Sequence, residues 1–121
     1  MAIPSGSGTE VLKNVYEKYT SGTVNLLTAG SNQIITLLSI VFCETSNQLE
    51  ELYLQIDASR NTISGSGGQD ISLLHKIALP GNGSFIFNDK VVIYDGDVLK
   101  FYAGSAGTID ITISYIVQDW S

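Results

Sequence analysis

One cysteine, one histidine, one methionine and two prolines are all that 121 residues carry of those types. Cys43 stands alone, so no intrachain disulfide can form and the fold does not depend on an oxidising compartment. His75 stands alone as well, which excludes histidine-based metal clusters and paired-histidine acid–base schemes. A Ser-His-Asp arrangement needs only one histidine, but no Gly-x-Ser-x-Gly elbow accompanies it. Charge is scarce: 15% of the residues are charged, against ~25% in ordinary soluble domains. The six basic residues (Lys13, Lys18, Arg60, Lys76, Lys90, Lys100) are scattered singly against twelve acidic ones, for a net charge of −6. Phosphate backbones are held by clustered cations that release counterions, so nucleic acid is excluded as a direct partner. The same acidity speaks against anionic membranes. The longest nearly apolar run, Ile34 to Cys43, is interrupted by Thr36 and Ser39 and falls short of the ~20 residues a spanning helix needs. The first eight residues lack the charged and apolar regions of a signal peptide. The expectation is a chain that is not exported by such a signal and is made in a cytoplasm.

What remains is 44% apolar. A chain of this length makes one domain and can bury roughly two-thirds of its unfolded surface, enough for one core. A thin coat of charge over such a core leaves neutral surface, which is easier to cover with a partner than charged surface.

The punctuation is that of a β protein. Residues 1–10 are rich in Gly, Ser and Pro and read as a flexible arm, with residues 11–121 as a single domain. Glu10 to Thr20 has partial helical spacing but is rich in β-branched and aromatic residues, and reads as a strand. A short strand over Thr23 to Thr28 follows. Gln33 to Glu44 is apolar on both alternations, the mark of a strand covered on both faces. Leu49 to Ala58 alternates, with Leu52, Leu54, Ile56 and Ala58 on one side. Arg60 to Gln69 is a Gly/Ser loop. A strand over Asp70 to Leu79 ends at Pro80-Gly81-Asn82-Gly83, dense turn chemistry. Short strands over Ser84 to Asn88 and Lys90 to Asp95 come next. Asp95-Gly96-Asp97 then gives a hairpin signal, ahead of Val98 to Ala103. Thr108 to Gln118 places Ile109, Ile111, Ile113, Tyr115 and Val117 inward. Eight or nine short strands at intervals of about ten residues predict an all-β sandwich of jelly-roll type.

No residue pattern calls for chemistry. Cys43 ends an apolar strand without a cationic neighbour to activate it, and reads as a buried thiol. Asp89, Asp95 and Asp97 lie close in sequence, but Asp-Gly-Asp is turn chemistry and the twelve-residue calcium loop is absent. Ser64 to Gly68 lacks the ending of a phosphate loop. Asn82-Gly83-Ser84 fits the glycosylation triplet, accidentally so without an export signal. Six tyrosines and Trp120 leave open a sugar-binding face, although aromatic residues suit strands and protein interfaces equally. The expectation is therefore no catalytic residue, no metal and no cofactor.

The stretch from Leu79 to Val117 (LPGNGSFIFNDKVVIYDGDVLKFYAGSAGTIDITISYIV) resembles the C-terminal half of small virion proteins of tailed bacteriophages. The shared order is a strand ending in Pro-Gly, two short apolar strands, and a Gly-Asp turn into Val98-Leu99-Lys100. A small-residue turn then leads into an alternating strand ending in Ser-Tyr. Upstream, Tyr19 to Cys43 resembles the matching opening, with a threonine-rich segment before Ile-Ile-Thr-Leu-Leu-Ser-Ile. The resemblance implies a jelly roll that serves as a capsid decoration (cement) protein, often a trimer, or as a small neck or tail component. It carries over no catalytic residue. It implies as partners the major capsid protein and further copies of this chain, and as location the outer surface of a virion assembled in the host cytoplasm. On that reading Ile35, Leu37, Val41 and Ile116 would form subunit flanks, with Trp120 beside them. Ile3 and Pro4 would anchor the arm on the shell. The rival is a carbohydrate- or receptor-binding sandwich.

Overall fold

The computed structural model describes residues 9–58, 62–63, 65, 68–104 and 107–119. Nine strands run through them: β1 (Thr9–Tyr19), β2 (Val24–Thr28), β3 (Gln33–Glu44), β4 (Glu50–Ala58), β5 (Gln69–Leu79), β6 (Ser84–Phe87), β7 (Val91–Tyr94), β8 (Val98–Ala103) and β9 (Ile109–Asp119). The strand start at Thr9 corrects the arm boundary read from the sequence. Thr9 and Glu10 belong to β1, opposite Asp119 and Gln118 of β9. Residues 1–8 of that arm lie outside the described residues.

Two antiparallel sheets form a sandwich. One has the order β1-β9-β3, with β6 and β7 end to end along the far edge of β3; the other has the order β2-β8-β4-β5. Counted as one interrupted strand, β6 and β7 complete a rolled-up hairpin. The first strand lies beside the last, the second beside the next to last, and the fourth beside the fifth. This is the jelly-roll order.

The core follows the alternation. Ile109, Ile111, Ile113 and Tyr115 of β9 point inward, with Leu52 and Leu54 of β4 and Leu99 and Phe101 of β8 facing them. Phe101 stacks on Phe42 at 5.1 Å and receives the edge of Tyr19 at 5.0 Å, an arrangement favoured by the ring quadrupoles. Burying each such side chain contributes about 1.5–3 kcal/mol. The Tyr19 hydroxyl donates to the Gly22 carbonyl at 2.7 Å and accepts from the Ala103 amide at 3.0 Å, tying β1 to the opposite sheet.

β3 explains why its sequence looks apolar on both alternations. Its register against β9 shifts between Leu37 and Ser39, a bulge at Leu38. Inward positions are odd before it (Ile35, Leu37) and even after it (Ile40, Phe42, Glu44). The Asp95-Gly96-Asp97 signal is also resolved differently from a hairpin. Asp95 and Gly96 have φ of 53° and 90° and make the expected tight turn, but β7 and β8 lie in different sheets. The turn is a corner between sheets. It is held by Gly96 N–H to the Ala29 carbonyl at 2.9 Å and Ala29 N–H to the Asp97 carbonyl at 3.0 Å.

At the opposite end, three turns meet around two buried glutamates. Glu44 accepts from the amides of Ser46 (3.0 Å), Gln48 (3.1 Å) and Asn82 (3.2 Å) and from the Ser46 hydroxyl. Burial pushes its carboxyl up, but these hydrogen bonds outweigh it and hold the pKa below the ordinary 4.5. Glu50 is fully buried and neither of its oxygens has a hydrogen-bond partner. A Cβ on Gly107 would stand 1.8 Å from Glu50 Oε2 and 2.7 Å from Glu44 Oε2, so any side chain there has to displace the buried glutamates.

Candidate interaction face

The outer face of the β1-β9-β3 sheet is built from side chains that strand pairing places in rows. Leu12 lies opposite Ile116, Ile116 opposite Thr36, and Thr36 opposite Val92. A second row runs Tyr16, Thr112, Val41, Ile86. Directly opposed residues share a face, so the rows form a patch about 14 Å across the strands and about 13 Å along them. Between the rows sit Asn14, Ser114 and Ser39, with the Ser114 hydroxyl donating to Asn14 Oδ1 at 2.7 Å.

Four large apolar side chains on this face are more than half exposed: Leu12 at 65%, Tyr16 at 74%, Ile86 at 58% and Val92 at 52%. On β1 and β9 the formal charges of this face stand at its ends. Glu10 takes a hydrogen bond from Gln118 at 3.1 Å, and Lys18 pairs with Asp110 at 2.6 Å. Exposed apolar side chains in rows beside an uncharged polar strip make a surface that a protein partner covers.

The residues expected at subunit flanks divide by parity. Val41 and Ile116 lie on this face, half-buried. Ile35 and Leu37 are 3% and 2% exposed and point into the core. Their place on a flank is corrected, because they precede the bulge and keep the inward parity. Ile3, Pro4 and Trp120 lie outside the described residues. Of the most exposed members, Tyr16 entered the sequence reading only among the tyrosines of a possible sugar-binding face and Leu12 escaped it, although the alternation Leu12, Asn14, Tyr16 was there to be read. Their strand is exposed on both sides for most of its length, so it carries no strong apolar period.

The other sheet presents a different outer face. Tyr53 and Tyr102 stack at 4.5 Å, nearly parallel at 6°, and His75 meets Tyr53 edge-on at 5.4 Å. Lys100 bridges to Asp70 at 2.9 Å, and that hydrogen bond raises its pKa above the ordinary value. An apolar cleft of about 610 Å³ opens between the ends of β4, β5 and β7, lined by Ile56, Ala58, Ile63, Ile71 and Val92 among others.

Other sequence candidates take structural places. Cys43, expected buried, is half-buried on the outer face opposite Asp110 and Ser84, because it follows the bulge with outward parity. Asp97 is buried, and its carboxylate accepts from the Tyr94 amide at 3.4 Å within the corner turn. The Asn82 side chain donates to Asn47 Oδ1 at 3.1 Å. Among the described residues no three His, Cys, Asp or Glu side chains converge, and no helix is long and apolar enough to cross a membrane.

The sequence matches no protein-family model and no curated protein. The fold is similar to chains of virus particles. One is in the structure of infectious bursal disease virus Gx strain (TM-score 0.54, 15% identity, 94% of this chain, 33% of that one). Another is in the infectious bursal disease virus VP2 subviral particle (TM-score 0.54, 14% identity, 96% and 34%). A third is in the T13 particle of the same virus (TM-score 0.52, 10% identity, 96% and 36%). This chain spans about a third of the length of each. At such identities the likeness is one of fold: an antiparallel sandwich that also occurs in those particles.

Proposed function

We propose that this chain is a non-enzymatic virion structural protein, a decoration (cement) protein that binds the outside of a tailed-phage shell and bridges its capsid subunits. The observation that carries this reading is the outer face of the β1-β9-β3 sheet, where Leu12, Tyr16, Ile86 and Val92 stand exposed around a charge-free centre. Left in water, such a face costs free energy that a partner recovers by covering it. Placed across the junction of two capsid subunits, it makes their separation also break the bridging contacts, and repetition over a lattice multiplies the gain through avidity. A net charge of −6 suits a position outside the packaged genome, where repulsion from DNA is harmless. The fold shared with chains of virus particles is compatible with this role.

The test is co-sedimentation with shells assembled from the major capsid protein. The chain pellets with shells, and Tyr16→Asp with Val92→Asp abolishes pelleting while the melting temperature stays put. Undiminished pelleting of that variant sinks the assignment. The runner-up is a carbohydrate-binding module of a phage neck or tail, favoured by the Tyr53–Tyr102 stack beside His75. Glycan-array binding that Tyr53→Ala removes would favour it.

A further inference from the structure

The four edges of the two sheets are not treated alike. β2 is five residues long and its register shifts between Asn25 and Leu27. β5 shifts register twice against β4 and carries Lys76 at φ 56°. The fourth edge of the sandwich is split between β6 and β7, four residues each. Short strands, bulges and breaks are how sheets prevent edge-to-edge pairing. β1 has none of them. Its eleven residues pair with β9 in one unbroken register, and β9 is the only strand hydrogen-bonded to it among the described residues. Three edges are blunted and one is left long and straight.

We propose that β1 pairs antiparallel with β1 of a second copy, about a twofold axis at Asn14, joining two sandwiches through one continuous sheet. The register comes from the strand itself. Overlap of all eleven residues opposes Thr9 to Tyr19 and therefore centres on Asn14. Glu10 then faces Lys18 of the other copy at both ends, and Leu12 faces Tyr16 twice. Lys13 faces Val15, with Glu17 and Lys13 of the other copy as its diagonal neighbours. Charges normally blunt an edge strand. In this register every charge directly faces an opposite or neutral side chain, so none of them blocks the pairing. Opposite-charge and apolar pairs across strands stabilise the pairing. The contact is isologous and closes after two copies. It goes beyond the proposed role, because it fixes how copies meet, and it replaces the threefold expected from sequence with a twofold. It also sets the Leu12 row of one copy in line with the Tyr16 row of the other, doubling the outer face.

Native mass spectrometry and cysteine cross-linking test the pairing on the full chain. The wild type runs at twice the 13.0 kDa chain mass. In a Cys43→Ser background, Asn14→Cys cross-links to its own copy on oxidation, since opposed Cα atoms are about 5 Å apart. Leu12→Cys does not, since two copies of position 12 would stand roughly 14 Å apart. Glu10→Lys weakens dimerisation roughly tenfold by opposing two lysine pairs, and adding Lys18→Glu restores it. A trimeric mass, a strict monomer, or equal cross-linking at positions 12 and 14 overturns the proposal. So does protection of the β1 amides from hydrogen exchange only when shells are added, which assigns the edge to a shell subunit.

Discussion

Glu44 and Glu50 sit at the same end of the sandwich with opposite fortunes. Glu44 collects three amide protons and a hydroxyl, while Glu50, equally buried, has no partner for either oxygen. An unpartnered buried polar group costs about 1–3 kcal/mol. Glu50→Gln replaces one of these unpartnered oxygens with an amide donor on the same side of Gly107 as the Glu44 carboxylate, so it raises the urea midpoint, by about 1 kcal/mol or more in stability. An unchanged or lowered midpoint contradicts this. Glu44 has a definite pH signature. Its folded pKa lies below the ordinary 4.5, so its contribution is fully present above pH 4.5 and is lost as pH falls through the folded value. The wild type therefore begins to lose this contribution below pH 4.5. Glu44→Gln melts lower at pH 7 and shows a shallower loss of stability as pH falls below that value, which a pH series of thermal melts reads directly. Neither role was visible in the sequence, where Glu44 only ends an apolar run. The signal was Thr45-Ser46-Asn47 immediately after it, a turn rich in donors that have no acceptor unless the strand supplies one.

Among the strands, most of the fold was legible because it rests on short-range alternation. The bounds of β3 and the inward set of β9 follow from which side chains repeat every second residue. Alternation reads the faces of a strand but not the neighbour it pairs with, and this is why the Asp95-Gly96-Asp97 turn passed for a hairpin. Both a hairpin and a corner need positive φ at the same residues. What distinguishes them is where β7 and β8 find hydrogen-bond partners, and those partners, β3 for one and β2 and β4 for the other, lie far off in sequence. The bulge at Leu38 escaped for a related reason: one extra residue in an apolar run looks like a strand covered on both faces. It carries a sharp prediction. Deleting Leu38 removes the extra residue and throws Ile40, Phe42 and Glu44 onto the outer face whenever Ile35 and Leu37 stay inside. That variant loses its cooperative melt. Leu38→Ala keeps the bulge and costs at most about 1–2 kcal/mol, since Leu38 is only half-buried. Equal melting of the two variants would rule out the bulge as the device that sets the phase.

For the whole molecule, charge and shape oppose each other. Net charge −6 opposes association beyond the β1 pair in neutral solution, while the outer face of the β1-β9-β3 sheet favours contact. Lowering the pH toward the isoelectric point of 4.4 removes the repulsion and leaves the apolar rows exposed. Light scattering of the free protein therefore rises steeply as pH approaches 4.4, before the far-ultraviolet signal of the strands is lost. The order matters, because the stabilisation from Glu44 begins to fail in the same window and unfolding would also cause scattering. Two variants separate the causes. Tyr16→Ser with Val92→Ser thins the outer face without touching Glu44, so it suppresses scattering and leaves the acid melt unchanged. Glu44→Gln does the reverse, lowering the melt while leaving the association of folded copies in place. If the serine variant scatters as strongly as the wild type while still folded, association belongs to another surface. The stacked Tyr53 and Tyr102 on the opposite sheet would then be the next to change.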